Sequence, residues 1–103
     1  MEPLILGEKM KNYPLCVVKR RTGECQPYDE RKVYASVYAA CYVVRRDEKE
    51  CERIAEAIAK KITSYVKGKK EMTSHSIHIL VVKEFRKHDK DAAFMYDTHK
   101  DIS

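Results

Sequence analysis

Glycine is scarce in this chain, which has only Gly7, Gly23 and Gly68. A phosphate-binding P-loop cradles its phosphates with the backbone N–H groups of a glycine-rich turn, so that route to nucleotide chemistry is closed. Close cysteine pairs are missing too. Cys16, Cys25, Cys41 and Cys51 form no C-x-x-C unit, and the four histidines add no tight ligand spacing, which argues against a structural zinc site. The N-terminal stretch as far as Leu15 offers only Leu4-Ile5-Leu6 as an apolar run. That is too short for a signal-peptide core or a membrane span, and a cytoplasmic protein with no membrane partner is expected. Side-chain amides are reduced to Asn12 and Gln26 while 36% of the residues are charged, the pattern expected of a thermophile's protein. Neither a Ser-His-Asp set nor a cluster of acidic metal ligands is evident, so no enzymatic activity is expected.

What is present suffices for one domain of 103 residues around one core. The net charge of +5 is spread along the chain and suits a phosphate-bearing partner; nucleic acid is allowed, though a nucleotide needs less. Residues 1–14 contain Pro3, Gly7 and Pro14 without apolar periodicity and read as an N-terminal extension to a domain at 15–103. Within the domain, 16–20 and 24–28 read as two strands joined through Thr22-Gly23, the glycine supplying the positive φ of a hairpin turn. Pro27 falls near a strand end, where a missing donor does least harm.

A first helix is expected over 30–44, capped by Asp29, with Val33, Val37, Ala40, Cys41 and Val44 on one face and Tyr34, Tyr38 and Tyr42 along another. Asp47 followed by Glu50 has the form of a capping box. Cys51, Ile54, Ala55, Ile58, Ile62 and Val66 then make an apolar stripe that runs to a stop at Gly68. A short strand at 69–72 precedes a third helix, capped by Thr73 or Ser74 and bearing Ile77, Leu80, Val81 and Phe85. Asp89 can cap a fourth with Ala92, Ala93 and Tyr96. The order β-β-α-α-β-α-α defines an α+β class: a small four-helix bundle covered by a short three-stranded sheet that contains the N-terminal hairpin. Cys41 and Cys51 fall near the facing ends of two antiparallel helices, where buried thiols are expected and a disulfide is geometrically open.

The chemistry concentrates at the hairpin. Lys19 and Arg20 end its first strand and Lys32 stands in the first turn of the next helix, so the three can converge on one small anion. Arg offers a planar fork to phosphate oxygens, Lys a compact charge, and the helix end adds its partial charge to that of Lys32. A solvated hairpin tip is the plainer reading of these cations taken alone. Val17 and Ile77 can sandwich a flat purine whose edge bonds to Gln26 and Asp29, although the two apolar residues serve equally well as core and Asp29 as a cap.

The succession Val17 to Arg20, Gly23, Pro27-Tyr28-Asp29 and Lys32-Val33 resembles the opening pattern of the ATP-cone, a nucleotide-binding regulatory module found at the N-terminus of many ribonucleotide reductases and in their transcriptional repressor. Met72-Thr73-Ser74-His75-Ser76-Ile77 resembles the segment that opens the family's third helix, and the resemblance extends over 16–102. It implies ATP or dATP bound as an effector, with or without magnesium, the phosphates held by Lys19, Arg20 and Lys32. It also implies His78 turned toward those phosphates and Lys100 as a late basic residue of the last helix. The nucleotide is then bound without turnover, and the module self-associates through helical faces, that of the helix from Asp47 to Lys67 or that of the last helix with Tyr96, or acts on a separately encoded partner such as ribonucleotide reductase. The turn Arg20-Arg21-Thr22-Gly23 departs from the family by an extra residue, and no carboxylate is evident in the sequence to orient His78. Two other readings compete: a small basic nucleic-acid-binding protein with Lys19, Arg20, Arg21, Arg31, Lys67, Lys69 and Lys70 on phosphates, and a degenerate cone serving only as a dimerisation module.

Overall fold

The computed structural model describes residues 13–19 and 22–98. Strands β1 (Tyr13–Val18) and β2 (Cys25–Tyr28) form the hairpin, helices α1 (Glu30–Val43) and α2 (Glu48–Val66) follow, and β3 (Glu71–Thr73) leads into α3 (Ser74–His88) and α4 (Lys90–Thr98). The element order is the one the sequence predicts. β1 begins earlier than expected, at Tyr13, because Tyr13 finds a partner in Tyr28; the register shifts between Tyr13 and Cys16, where Pro14 has no N–H to give.

β1 is the central strand of the order β2-β1-β3, antiparallel to β2 and parallel to β3. The hairpin closes where the Lys19 N–H donates to the Glu24 carbonyl at 2.9 Å and the Gly23 N–H to the Lys19 carbonyl at 2.7 Å. Gly23 has φ +73°, the left-handed conformation for which glycine is suited. Alternation along β2 leaves Cys25 and Pro27 exposed and turns Gln26 and Tyr28 inward. Val17 lies across from Gln26 on one side and Met72 on the other, so the three share the inner face, and Val17 and Met72 pack against the core. Tyr28 is the anchor of the hairpin: it is 3% exposed, and its hydroxyl lies 2.9 Å from that of Thr63 on α2.

The core follows the apolar stripes. Val33, Val37, Ala40 and Cys41 of α1 meet a buried row from Cys51 to Val66 on α2, closed by Val81, Val82 and Phe85 of α3 and by Ala92, Ala93 and Tyr96 of α4. Each large aliphatic or aromatic side chain fully removed from water contributes about 1.5–3 kcal/mol, so α2, with Ile54, Ile58, Ile62 and Val66 all buried, is the main support of the fold.

Three of the expected caps form. Asp29 accepts from the Arg31 N–H at 2.9 Å, Thr73 from Ser76 at 3.0 Å and Asp89 from Ala92 at 3.1 Å. The capping box at α2 does not: Asp47 makes no side-chain cap bond, and Glu50 is drawn away by an ion pair with Arg53 one turn on. α1 ends one residue before the expected Val44 through a Schellman turn, in which the Arg46 N–H reaches the Cys41 carbonyl at 3.0 Å and that of Arg45 reaches Tyr42 at 2.9 Å. Arg45, not a glycine, holds the left-handed position with φ +63°. The next residue is pinned. Arg46 donates to Asp89 through Nε at 2.6 Å and Nη2 at 3.1 Å, and to Asp91 at 3.3 Å, tying the α1–α2 corner to the start of α4. This pair holds the Asp89 carboxyl below its ordinary range.

The core cysteines are as expected, while the hairpin pair is joined where no bond was expected. Cys41 and Cys51 are buried free thiols, and burial pushes the Cys41 thiol up to about 12. The disulfide joins Cys16 to Cys25 across the hairpin, with Cα atoms 5.5 Å apart.

Candidate functional site

The hairpin brings the candidate residues to one end of the bundle, where β1 runs between β2 and the strand that opens α3. Lys19 follows β1 directly and is half-buried, yet among the described residues it has no carboxylate in ion-pair reach. Lys32 is exposed in the first turn of α1 and likewise unpaired among the described residues. Two cations without acidic partners, one of them partly withdrawn from water, are free to take an anion.

Beside Lys19, Val17 and Gln26 are cross-strand partners on the inner face of the sheet. Their juxtaposition sets an apolar side chain beside an amide. Ile77 stands in the first turn of α3, immediately after β3, and packs partly buried against the same core as Val17. Asp29 is committed to its cap through Oδ1, which also accepts from the Arg31 Nε at 3.4 Å; its second oxygen is available to a ligand. Arg20 and Lys100, two further residues of the predicted site, lie outside the described residues.

His78, for which the sequence shows no orienting carboxylate, has one in the fold. Its Nε2 lies 3.0 Å from Asp97 Oδ1, and its ring stacks on Tyr96 with centroids 5.0 Å apart and planes 15° from parallel. A carboxylate therefore does orient this imidazole. Sequence spacing concealed it because the two residues meet only through the packing of α3 on α4. Tyr96, expected on an association surface, is instead 8% exposed and tilted against Phe85 at 5.8 Å. Burial raises its phenol above the ordinary range, an effect the neighbouring Ser36 hydroxyl opposes. The seam Asp97–His78–Tyr96–Phe85 thus runs from the surface into the core. Among the described residues no group of three or more His, Cys, Asp or Glu side chains is placed to hold a metal ion.

The family model of the ATP cone domain matches residues 16–96, which span hairpin, sheet and all four helices, and the chain belongs to the ATP-cone family. ATP-cone domains are nucleotide-binding regulatory modules whose effectors are ATP and dATP. No curated protein matches this chain.

Proposed function

We propose that this chain is a nucleotide sensor that binds ATP or dATP between hairpin and helices and converts occupancy into a changed association, with another copy of itself or with a separately encoded partner such as ribonucleotide reductase. The observation that carries the reading is a half-buried Lys19 without an acidic partner among the described residues, on the hairpin of an ATP-cone. In this reading Lys19, Arg20 and Lys32 hold the phosphates, with or without magnesium, and Val17, Gln26 and Ile77 hold the base. Occupancy shifts an assembly only by the difference in affinity between its two states. Tyr42 and Phe94, 64% and 68% exposed, are large side chains left for such a contact. No helix among the described residues is long and apolar enough to cross a membrane, and a cytoplasmic site of action is proposed.

Calorimetric titration with ATP, dATP and GTP tests the reading. Adenine nucleotides bind, and at one hundred times the dissociation constant they stabilise the fold by about 2.7 kcal/mol. Absence of both heat and melting shift at millimolar ATP and dATP would overturn it. Retention of duplex DNA that weakens steeply with salt favours the nucleic-acid reading instead.

The His78–Asp97 pair favours one second reading, hydrolysis, because an oriented imidazole can accept a proton from water. We propose binding without turnover, since cations alone stabilise the ground and transition states of a triphosphate alike. ATP incubated with stoichiometric protein and magnesium is then recovered intact. Phosphate release abolished by His78→Ala establishes the enzyme reading.

A further inference from the structure

We infer that Cys16 and Cys25 form a thiol–disulfide switch that sets the affinity of the hairpin for its nucleotide. The inference rests on the sensor reading above. Cys16 stands opposite Pro27 and Cys25 opposite Val18, so the two cysteines are diagonal neighbours with Cα atoms 5.5 Å apart, within the span a disulfide bridges. Alternation along the strands places both on the face away from the helices, behind the Val17–Gln26 pair. The bond therefore braces the binding face from its back without occupying it.

Access separates this pair from the other one. Cys25 is exposed and Cys16 half-buried, so an oxidant or reductant reaches them from solvent with the core intact, whereas Cys41 and Cys51 are fully buried. The thiolate of Cys25 attacks one sulfur of an external disulfide RSSR, such as glutathione disulfide, and expels RS⁻. The thiolate of Cys16 then attacks the Cys25 sulfur of the mixed disulfide and expels the second RS⁻. Two protein thiols and RSSR become one protein disulfide and two RSH: two electrons pass to the external sulfurs, and the two thiol protons follow. A dithiol reductant reverses the sequence.

Coupling to the ligand follows from what else holds the hairpin. β1 is held on its other side by β3, but β2 is an edge strand that pairs with β1 alone, and of its residues only Tyr28 is fully buried. The cross-link encloses Val17, Lys19 and the turn, and removes their splayed conformations before a ligand arrives. Lys19 and the Val17–Gln26 pair are then pre-set, and less ordering is left for the nucleotide to impose. By linkage, bound nucleotide resists reduction of the bond by the same factor.

The test uses the full chain in three forms: oxidised, reduced with a phosphine, and the Cys16→Ser/Cys25→Ser double variant, each checked by circular dichroism and mass. Oxidised protein is expected to bind ATP about tenfold tighter than reduced protein, with the double variant matching the reduced form in both redox conditions. A glutathione redox titration with saturating ATP then shifts its midpoint by about 30 mV, the equivalent of that tenfold. The reduced parent keeps the comparison valid if the double variant does not fold. Equal ATP affinity in oxidised and reduced parent overturns the switch and leaves the sensor standing; no ATP binding in either form overturns both.

Discussion

The bundle and the hairpin each carry two cysteines, and the two pairs have opposite fates. In the bundle, Cys41 and Cys51 are fully buried thiols, held by packing that leaves Ile54, Ile58, Val81 and Phe85 no solvent contact. In the hairpin, Cys16 and Cys25 are covalently joined on strands that bury only Tyr28 fully among the described residues, with Val17 packing partly against the core. Burial secures the bundle, so its chemistry is suppressed; burial, with the neighbouring Cys51 and Asp89 adding to it, lifts the Cys41 thiol to about 12. One disulfide and a hydrogen-bond ladder secure the hairpin, so its outer face stays available. A region held by connections in place of packing is the one that can offer Lys19 to a ligand.

Core substitutions should divide the two regions most sharply. Phe85→Ala removes a fully buried ring among α3 and α4 and is expected to cost about 3–5 kcal/mol in denaturant unfolding, whereas Val17→Ala, at a half-buried position, costs about 1 kcal/mol. Similar losses at the two sites would dissolve the distinction.

Asp89 comes next. Removing its carboxylate by Asp89→Ala takes away the α4 cap, worth about 1 kcal/mol, and the Arg46 contact as well. Because the folded carboxyl is held below its usual value, its ionised form supports the fold at neutral pH. That support is complete above the unfolded value of about 3.9 and is lost as pH falls from there through the folded pKa. The stability difference between parent and Asp89→Asn, followed by acid titration, should therefore hold above about 3.9 and narrow as pH falls through that window; a difference constant down to strong acid excludes the mechanism.

The joint between the regions is a hydroxyl pair. Tyr28→Phe strips one partner from the buried Tyr28–Thr63 contact and should lower stability by about 1 kcal/mol. If the hairpin is truly secured at this point, amide exchange of β2 accelerates more than that of α2. Arg45→Gly is expected to act in the opposite direction, stabilising by about 0.5–1 kcal/mol, since glycine accepts φ +63° without a Cβ clash. The smallest effect on folding belongs to Lys19→Ala, within about 0.5 kcal/mol, while ATP affinity falls. Unchanged ATP affinity in that variant removes Lys19 from the phosphate site.

The same division governs what could be read from the sequence. Helices announced themselves because 3.6-residue periodicity is a local property, and Asp29, Thr73 and Asp89 cap as their positions imply. The Gly23 turn marked the hairpin, but the strands expected at 16–20 and 24–28 did not fix its register, which sets Val17 opposite Gln26. Four further features lay beyond such reasoning. The α1 stop lacks the glycine that usually marks a Schellman turn. Asp97 reaches His78 only through helix packing, and Glu50 had a rival partner in Arg53. Cys16 and Cys25 are diagonal neighbours of a hairpin, a relation that a search for close sequence spacing passes over. Within the candidate site, Val17, Lys19, Gln26 and Asp29 come together on the hairpin and its exit, and Lys32 and Ile77 each begin a helix beside it.

The central strand has a kinetic consequence. β1 pairs in parallel with β3, although α1 and α2 intervene in the chain, so this ladder forms only after a large ring has closed. Adjacent helices pay no such toll. During refolding, amides within α2 should become protected before the Cys16 amide, which bonds to the Lys70 carbonyl at 3.0 Å. Elements joined late are also the ones that detach at low free energy, so the sheet can open and reclose over the bundle many times within the lifetime of one folded molecule.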